Sequence, residues 1–369
     1  MRVAFVAAET VHHADERRDH ATVGEGDVQS TADRLYRLAG LLTDRGHEVV
    51  VASAKWWDGL PDEFDHEGVT YVAVAERADS RWFTARLPGV VRRLAPDVVH
   101  AVGDRPSHAA AARVGARLAG APLLVEHYDP PERRGVWADW LSGFAVGGAT
   151  ATVVPTRTVA TALREAGVAE DGIGVVADPV EVDLIRETEP AADAGDVVFS
   201  RRLDEDANLE TLLLALAEFR GYDWSATVVG DGPERERYEK QARDLRIADR
   251  VDFVGAKSLA ERLAYFRGAH VYVQTARRCS FATDLHRALA CGCVGIVEYH
   301  AASSAHELVE GDSRGFLATN DEEVVECLVE ATDLDRRDLG ESGATHDEAA
   351  FLDAYLERYR AGQDAYGLL

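Results

Sequence analysis

The stretch 226-ATVVGDGPERERYEKQARDLRIADRVDFVG-255 decides the reading of the whole chain. Ala226 to Val229 is a short β-branched run ended by glycine, an amphipathic helical segment with Glu234, Arg235 and Tyr238 follows, and Val251 to Val254 is a second apolar run. This is a strand, helix, strand order. Gly230 and Gly232 stand at the carboxyl end of the first strand, where glycine lets a ligand approach the backbone, and Pro233 suits the first turn of the next helix. Alone, Gly-Asp-Gly-Pro is as much a turn as a site.

The same alternation extends outward in both directions, which predicts parallel βαβ units and an α/β fold. Downstream and upstream in the second half, Val197 to Phe199, Val271 to Gln274 and Gly295 to Val297 are further strands. The first half offers Val3 to Ala7, Glu48 to Ala52, Val98 to Ala101, Leu123 to Glu126, Thr152 to Val154 and Gly174 to Val176. Between the first two lies a helix with Leu35, Leu38, Leu41 and Leu42 on one face, opened by Ser30 with Asp33 and closed by Gly46. From Asp178 to Gly195 the pattern lapses into prolines, small residues and acids, the composition of a linker. The expected organisation is therefore a domain over 1–177, a linker over 178–195, a second domain over 196–345 and a last helical segment over 346–369.

A chain of 369 residues, 46% hydrophobic, has core enough for two such domains. No run of eighteen apolar residues occurs, so a membrane span is not expected, while peripheral membrane contact stays open. The opening residues lack the basic and apolar pattern of a signal segment, which points to the cytoplasm. The four cysteines read as reduced thiols, and Cys291-Gly-Cys293 has too short a spacing for a zinc site. The net charge of −25, with lysine only at 55, 240 and 257, resembles adaptation to a salt-rich interior and argues against a nucleic-acid partner.

Three segments taken together, Ser200-Arg-Arg-Leu-Asp-Glu-Asp-Ala-Asn-Leu-Glu210, the 226–255 stretch and Ala288-Leu-Ala-Cys-Gly-Cys293, resemble the C-terminal domain of the family 4 glycosyltransferases. Arg45-Gly-His-Glu-Val49, Asp97-Val-Val-His100 and Val153-Val-Pro-Thr156 continue the resemblance through the first half. It implies a GT-B fold, two Rossmann-like domains with parallel sheets facing across a cleft. It further implies a nucleotide diphosphate sugar held by the second domain, and an acceptor, whether glycan, lipid or small molecule, on the first. The final helix would return to the first domain. No cofactor beyond the donor is implied, and the reaction would be retaining and metal-independent.

The resemblance assigns Arg202, with Arg201 beside it, to the donor diphosphate. The alternative is a surface arginine paired with acids. The lysine that the family adds has Ala207 in its place. Ser280, Phe281, Ala282 and Thr283 open a helix whose amides would face a phosphate, unless they are a plain cap. The family's two glutamates align with Cys279 and Arg287. Arg287 could contact a phosphate or pair with an acid, and Asp284 and Glu307 are the substitute acids. Ser304 with Glu307 is also a capping box. In the first domain His127 is the candidate for the donor sugar, and His100 a weaker one. Gly24-Glu-Gly26 stands where the family has a glycine-rich loop. His12, His13 and His20 lack further ligands at metal spacing, and Asp204-Glu-Asp206 is a chance likeness to another fold's metal site. The loss of the lysine and both glutamates also permits a rival reading, a GT-B-like protein that binds nucleotide sugar or a partner enzyme without turnover.

Overall fold

The computed structural model describes residues 1–12, 31–59, 61–131, 136–335 and 347–367. Ser30, His13, His20, Gly24 and Gly26 lie outside these residues. The described residues form two compact units, one of residues 1–12, 31–178 and 348–367, the other beginning at Pro179 and ending at Asp347.

The first unit is built on an eight-stranded sheet among the described residues. Its strands are β1 (Arg2–Val6), β2 (Glu48–Ala54), β3 (Glu63–His66), β4 (Val69–Ala75), β5 (Val98–Val102), β6 (Leu123–Glu126), β7 (Ala151–Val154) and β8 (Ile173–Val175). Their order is β3-β4-β2-β1-β5-β6-β7-β8, parallel except for β3 against β4. The hairpin β3–β4 is absent from the sequence reading. Glu67 and Gly68 turn it with φ of 50° and 79°, the two-residue turn that matches the twist of paired strands.

Helices cover both faces of this sheet. On one side, α1 (Thr31–Asp44) buries Leu35, Leu38 and Leu42, and with them Arg34. On the other side, α2 (Arg81–Leu94) begins where Ser80 accepts a hydrogen bond from the Trp82 amide and ends at Ala95 in the left-handed region. Next come α3 (Pro106–Ala119), with proline in its first turn and Gly120 closing it, α4 (Val136–Val146) and α5 (Arg157–Glu165).

The second unit has a six-stranded sheet of order β11-β10-β9-β12-β14-β16, all parallel. Its strands are β9 (Val197–Ser200), β10 (Ala226–Val229), β11 (Val251–Gly255), β12 (Val271–Gln274), β14 (Val294–Glu298) and β16 (Gly315–Ala318), with the short pair β13 (Arg278–Cys279) and β15 (Ala302–Ser303) beside it. Its helices are α6 (Val182–Glu187), α7 (Leu209–Glu218), α8 (Arg235–Asp244), α9 (Leu259–Gly268), α10 (Thr283–Ala290), α11 (His306–Val309) and α12 (Asp321–Thr332). The last helix, α13 (Glu348–Gly367), belongs to the first unit, where Phe351, Leu352, Tyr355, Leu356 and Tyr359 join the core.

Residues 178–195 are not an irregular linker. Asp178 is fully buried in the first unit, while Val180, Ile185 of α6 and Ala194 pack in the core of the second. The prolines that suggested a linker interrupt a packed segment, and its single apolar residues were too sparse to show a period.

Candidate functional site

In the second unit β9 lies between β10 and β12. Connections from β9 run outward one way through β10 and β11, and the other way through β12, β14 and β16. The carboxyl ends of β9 and β12 therefore flank the topological switch point, where open α/β sheets bind their ligands. Arg201 and Arg202 follow β9 directly. Residues 275–282 follow β12 and lead into α10.

Arg202 is half-buried at this edge, and Arg201 donates from Nη2 to the carbonyl of Arg278 at 3.1 Å. The loop after β10 packs on this segment. A Cβ at Gly230 would overlap the carbonyl oxygen of Arg201, and one at Gly232 that of Leu203. Leu203 donates its amide to Asp231 at 2.9 Å and accepts from Glu234 at 2.9 Å, so the two loops are zipped together. The glycines thus admit a neighbouring backbone on their Cβ sides. They act on the site by fixing the arginine loop.

The helix opening at Ser280 to Thr283 is also held from outside. Ser304 donates Oγ to the Ser280 carbonyl at 2.6 Å and its amide to Cys279 at 2.8 Å. The Ser304 hydroxyl is therefore spent on the loop, and no side chain caps α11. The capping-box reading of Ser304 and Glu307 fails for this reason. Glu307 sits half-buried one turn after Ser304. No side chain caps α10 either, and the Thr283 hydroxyl is buried without a hydrogen-bond partner among the described residues. Two arginines and an uncapped helix N-terminus on one sheet edge form a setting suited to an anion.

The substitute acids stand in a charge cluster. Asp284 accepts from Ser200 Oγ at 2.6 Å, from Arg262 Nη1 at 3.2 Å and from Arg287 Nη1 at 3.2 Å. Arg287 forms a two-pronged bond with Glu181, at 2.9 and 2.7 Å. Burial works against its charge, but Glu181 and then Asp284 hold its pKa well above the usual arginine value. Arg287 is committed to these acids, so its phosphate role is withdrawn. Asp284 is likewise committed, flanked by the guanidiniums of Arg262 and Arg287. Ala207, at the position of the family lysine, is wholly buried.

In the first unit His127 follows β6 and packs its ring on Gly103, where any Cβ would strike it. Burial lowers its pKa to about 4, against the opposing pull of Glu126. The ring is neutral at pH 7, and its Nε2 has no hydrogen-bond partner among the described residues. His100 is a core residue: Nδ1 lies 2.8 Å from Tyr359 Oη and Nε2 2.8 Å from Glu126.

Sequence reasoning missed Arg34, Glu126, Asp178, Arg262 and Glu181. Arg34 is fully buried between Glu126 and Asp178, and its Nε is 2.9 Å from Tyr355 Oη on α13. Tyr128 donates to Asp178 at 2.7 Å. Burial pushes Glu126 up, yet Arg34 and the bonds from His100 and Tyr355 bring it down to about 2. No sequence pattern signals these partners; those of Arg34, for example, lie 92 to 321 residues away along the chain.

Residues 32–184 match the family described as Glycosyltransferase Family 4, and residues 182–343 the family described as Glycosyl transferases group 1. The chain is 30% identical over 244 residues to the lipopolysaccharide core biosynthesis glycosyltransferase LpsD of Rhizobium meliloti, a match spanning 62% of this chain and 64% of that protein. A glycosyltransferase from Rickettsia africae superposes with a TM-score of 0.75 at 15% identity, covering 98% of each chain. The Anabaena protein HepE in complex with UDP superposes with a TM-score of 0.68 at 16% identity, over 100% of this chain and 99% of that one, and HepE is also solved with UDP-glucose. No helix among the described residues is long and apolar enough to cross a membrane.

Proposed function

We propose that this chain, whose two halves match the families described as Glycosyltransferase Family 4 and Glycosyl transferases group 1, is a glycosyltransferase that moves a glycosyl group from a nucleotide diphosphate sugar to an acceptor hydroxyl. The observation that carries the donor reading is the β9–β12 switch point, with Arg201 and Arg202 on one side and the uncapped start of α10 on the other. A leaving diphosphate gains negative charge as the glycosidic bond breaks. Fixed guanidiniums and amides aimed at that charge lower the barrier. The UDP and UDP-glucose complexes of HepE support a nucleotide sugar as the donor class.

In this proposal Arg202 and the amides of residues 280–283 do the work that a metal does elsewhere, the product keeps the donor's anomeric configuration, and His127 acts as a neutral hydrogen-bonding group of the first unit. The Thr283 hydroxyl is a further group available to the diphosphate. Asp284 keeps Arg262 and Arg287 in register and orients Ser200. The comparisons do not favour the non-catalytic alternative, because the relatives they name are glycosyltransferases.

The test is release of nucleoside diphosphate from a donor panel, with and without candidate glycan, lipid and small-molecule acceptors. Acceptor-dependent release is expected to survive EDTA, and Arg202→Ala is expected to lower kcat/KM by about 10²–10³. Full activity in Arg202→Ala sinks the assignment of the diphosphate to this edge.

A further inference from the structure

The most exposed aromatic side chains of the first unit gather on one helical layer. Trp137 is 80% exposed, Trp140 59% and Trp82 57%, with Leu118 at 52%. They belong to α2, α3 and α4, of which α3 packs against both α2 and α4. Phe83, Leu87, Val91, Ala112 and Ala116 face the strands from α2 and α3, so the exposed residues occupy the outer side of the layer.

The outer side is ordered. Trp137, Trp140 and Phe144 recur at helical spacing, with ring centroids 6.4 and 5.8 Å apart. The Arg113 guanidinium lies 4.2 Å from the Phe144 ring, and those of Arg81 and Arg86 each 5.8 Å from Trp82. The charge of this layer runs against the rest of the molecule. In a chain of net charge −25, α2, α3 and α4 carry six arginines and one acid, Asp139.

We propose that this face docks on an anionic membrane surface. Indole rings settle at the boundary between headgroups and acyl chains, and arginine stems lie along apolar surface while their heads reach phosphates. The tryptophans protrude, which suits a fluid layer that yields around them. The acids elsewhere on the chain oppose docking weakly, since charges more than about 10 Å away are screened at 0.1 M salt. The proposal is independent of the donor assignment, because none of these residues belongs to the β9–β12 edge.

The experiment is co-sedimentation of the full chain with phosphatidylglycerol or phosphatidylcholine vesicles, alongside thermal stabilisation by UDP. Wild type is expected to sediment with phosphatidylglycerol, and Trp82→Ala/Trp137→Ala/Trp140→Ala to lose at least about tenfold in partitioning. Arg81→Gln/Arg86→Gln is expected to lose about fivefold per arginine on phosphatidylglycerol and little on phosphatidylcholine. UDP stabilisation should be the same in all three proteins. Failure to sediment, or sedimentation unchanged in the tryptophan variant, overturns the proposal. Binding to soluble polyglutamate as tightly as to vesicles also overturns it, in favour of an acidic protein partner. Absence of UDP stabilisation with vesicle binding intact counts against the donor reading alone.

Discussion

At position 287 the family's glutamate is an arginine, and the structure shows what that exchange requires. Arg287 needs Glu181, and the pair brings Asp284 with it. Restoring the family residue by Arg287→Glu would set three carboxylates together in a site with little water. We expect a loss of about 3–5 kcal/mol, measured by urea denaturation, because a buried pair broken on one side leaves an unpaired charge. Adding Glu181→Arg to that variant should recover much of the loss. From sequence, the missing glutamates read as a damaged site. The local motif could not show that residue 181, over a hundred positions away, supplies a carboxylate to the same cluster.

The loops after β9 and β10 behave as one element. Gly230 has φ of 134°, a region that other residues enter at a cost of about 1–3 kcal/mol, and its Cβ side is filled by the Arg201 carbonyl. Gly230→Ala should therefore destabilise the second unit by at least that amount in a denaturant titration and weaken thermal stabilisation by UDP. The strand before this loop, the glycines and the proline were all legible in the sequence. Their role was not, since the surface they face comes from another loop. The β3–β4 hairpin marks the opposite case: Phe64, His66, Val69 and Tyr71 alternate around Glu67-Gly68, a signal that was present and unread.

For the molecule as a whole, the return of α13 to the first unit matters most. Arg34 sits on the apolar face of α1 beside Leu35 and Leu38, and its charge is met by Glu126, Asp178 and Tyr355. The network joins the first helix, the middle of the sheet, the residue at which the first unit ends and the last helix. Arg34→Met would leave Glu126 and Asp178 buried with no cation. It is expected to cost about 3–5 kcal/mol and to release α13 to proteolysis before the second unit unfolds. Limited digestion that leaves α13 intact in this variant would show that apolar packing alone holds the helix.

By itself the sequence determined the α/β class, most strand positions and the family likeness, because these rest on local periodicity and turn chemistry written along the chain. Only the tertiary structure decided that Arg287 is paired, that Gly230 and Gly232 face backbone, and that Ser304 supports a loop instead of capping a helix. It also decided that Arg34 is a core residue. Each of these depends on which distant groups share a small, poorly hydrated space, where an ion or hydroxyl must find a partner. A one-dimensional pattern records the group and leaves the partner to the fold.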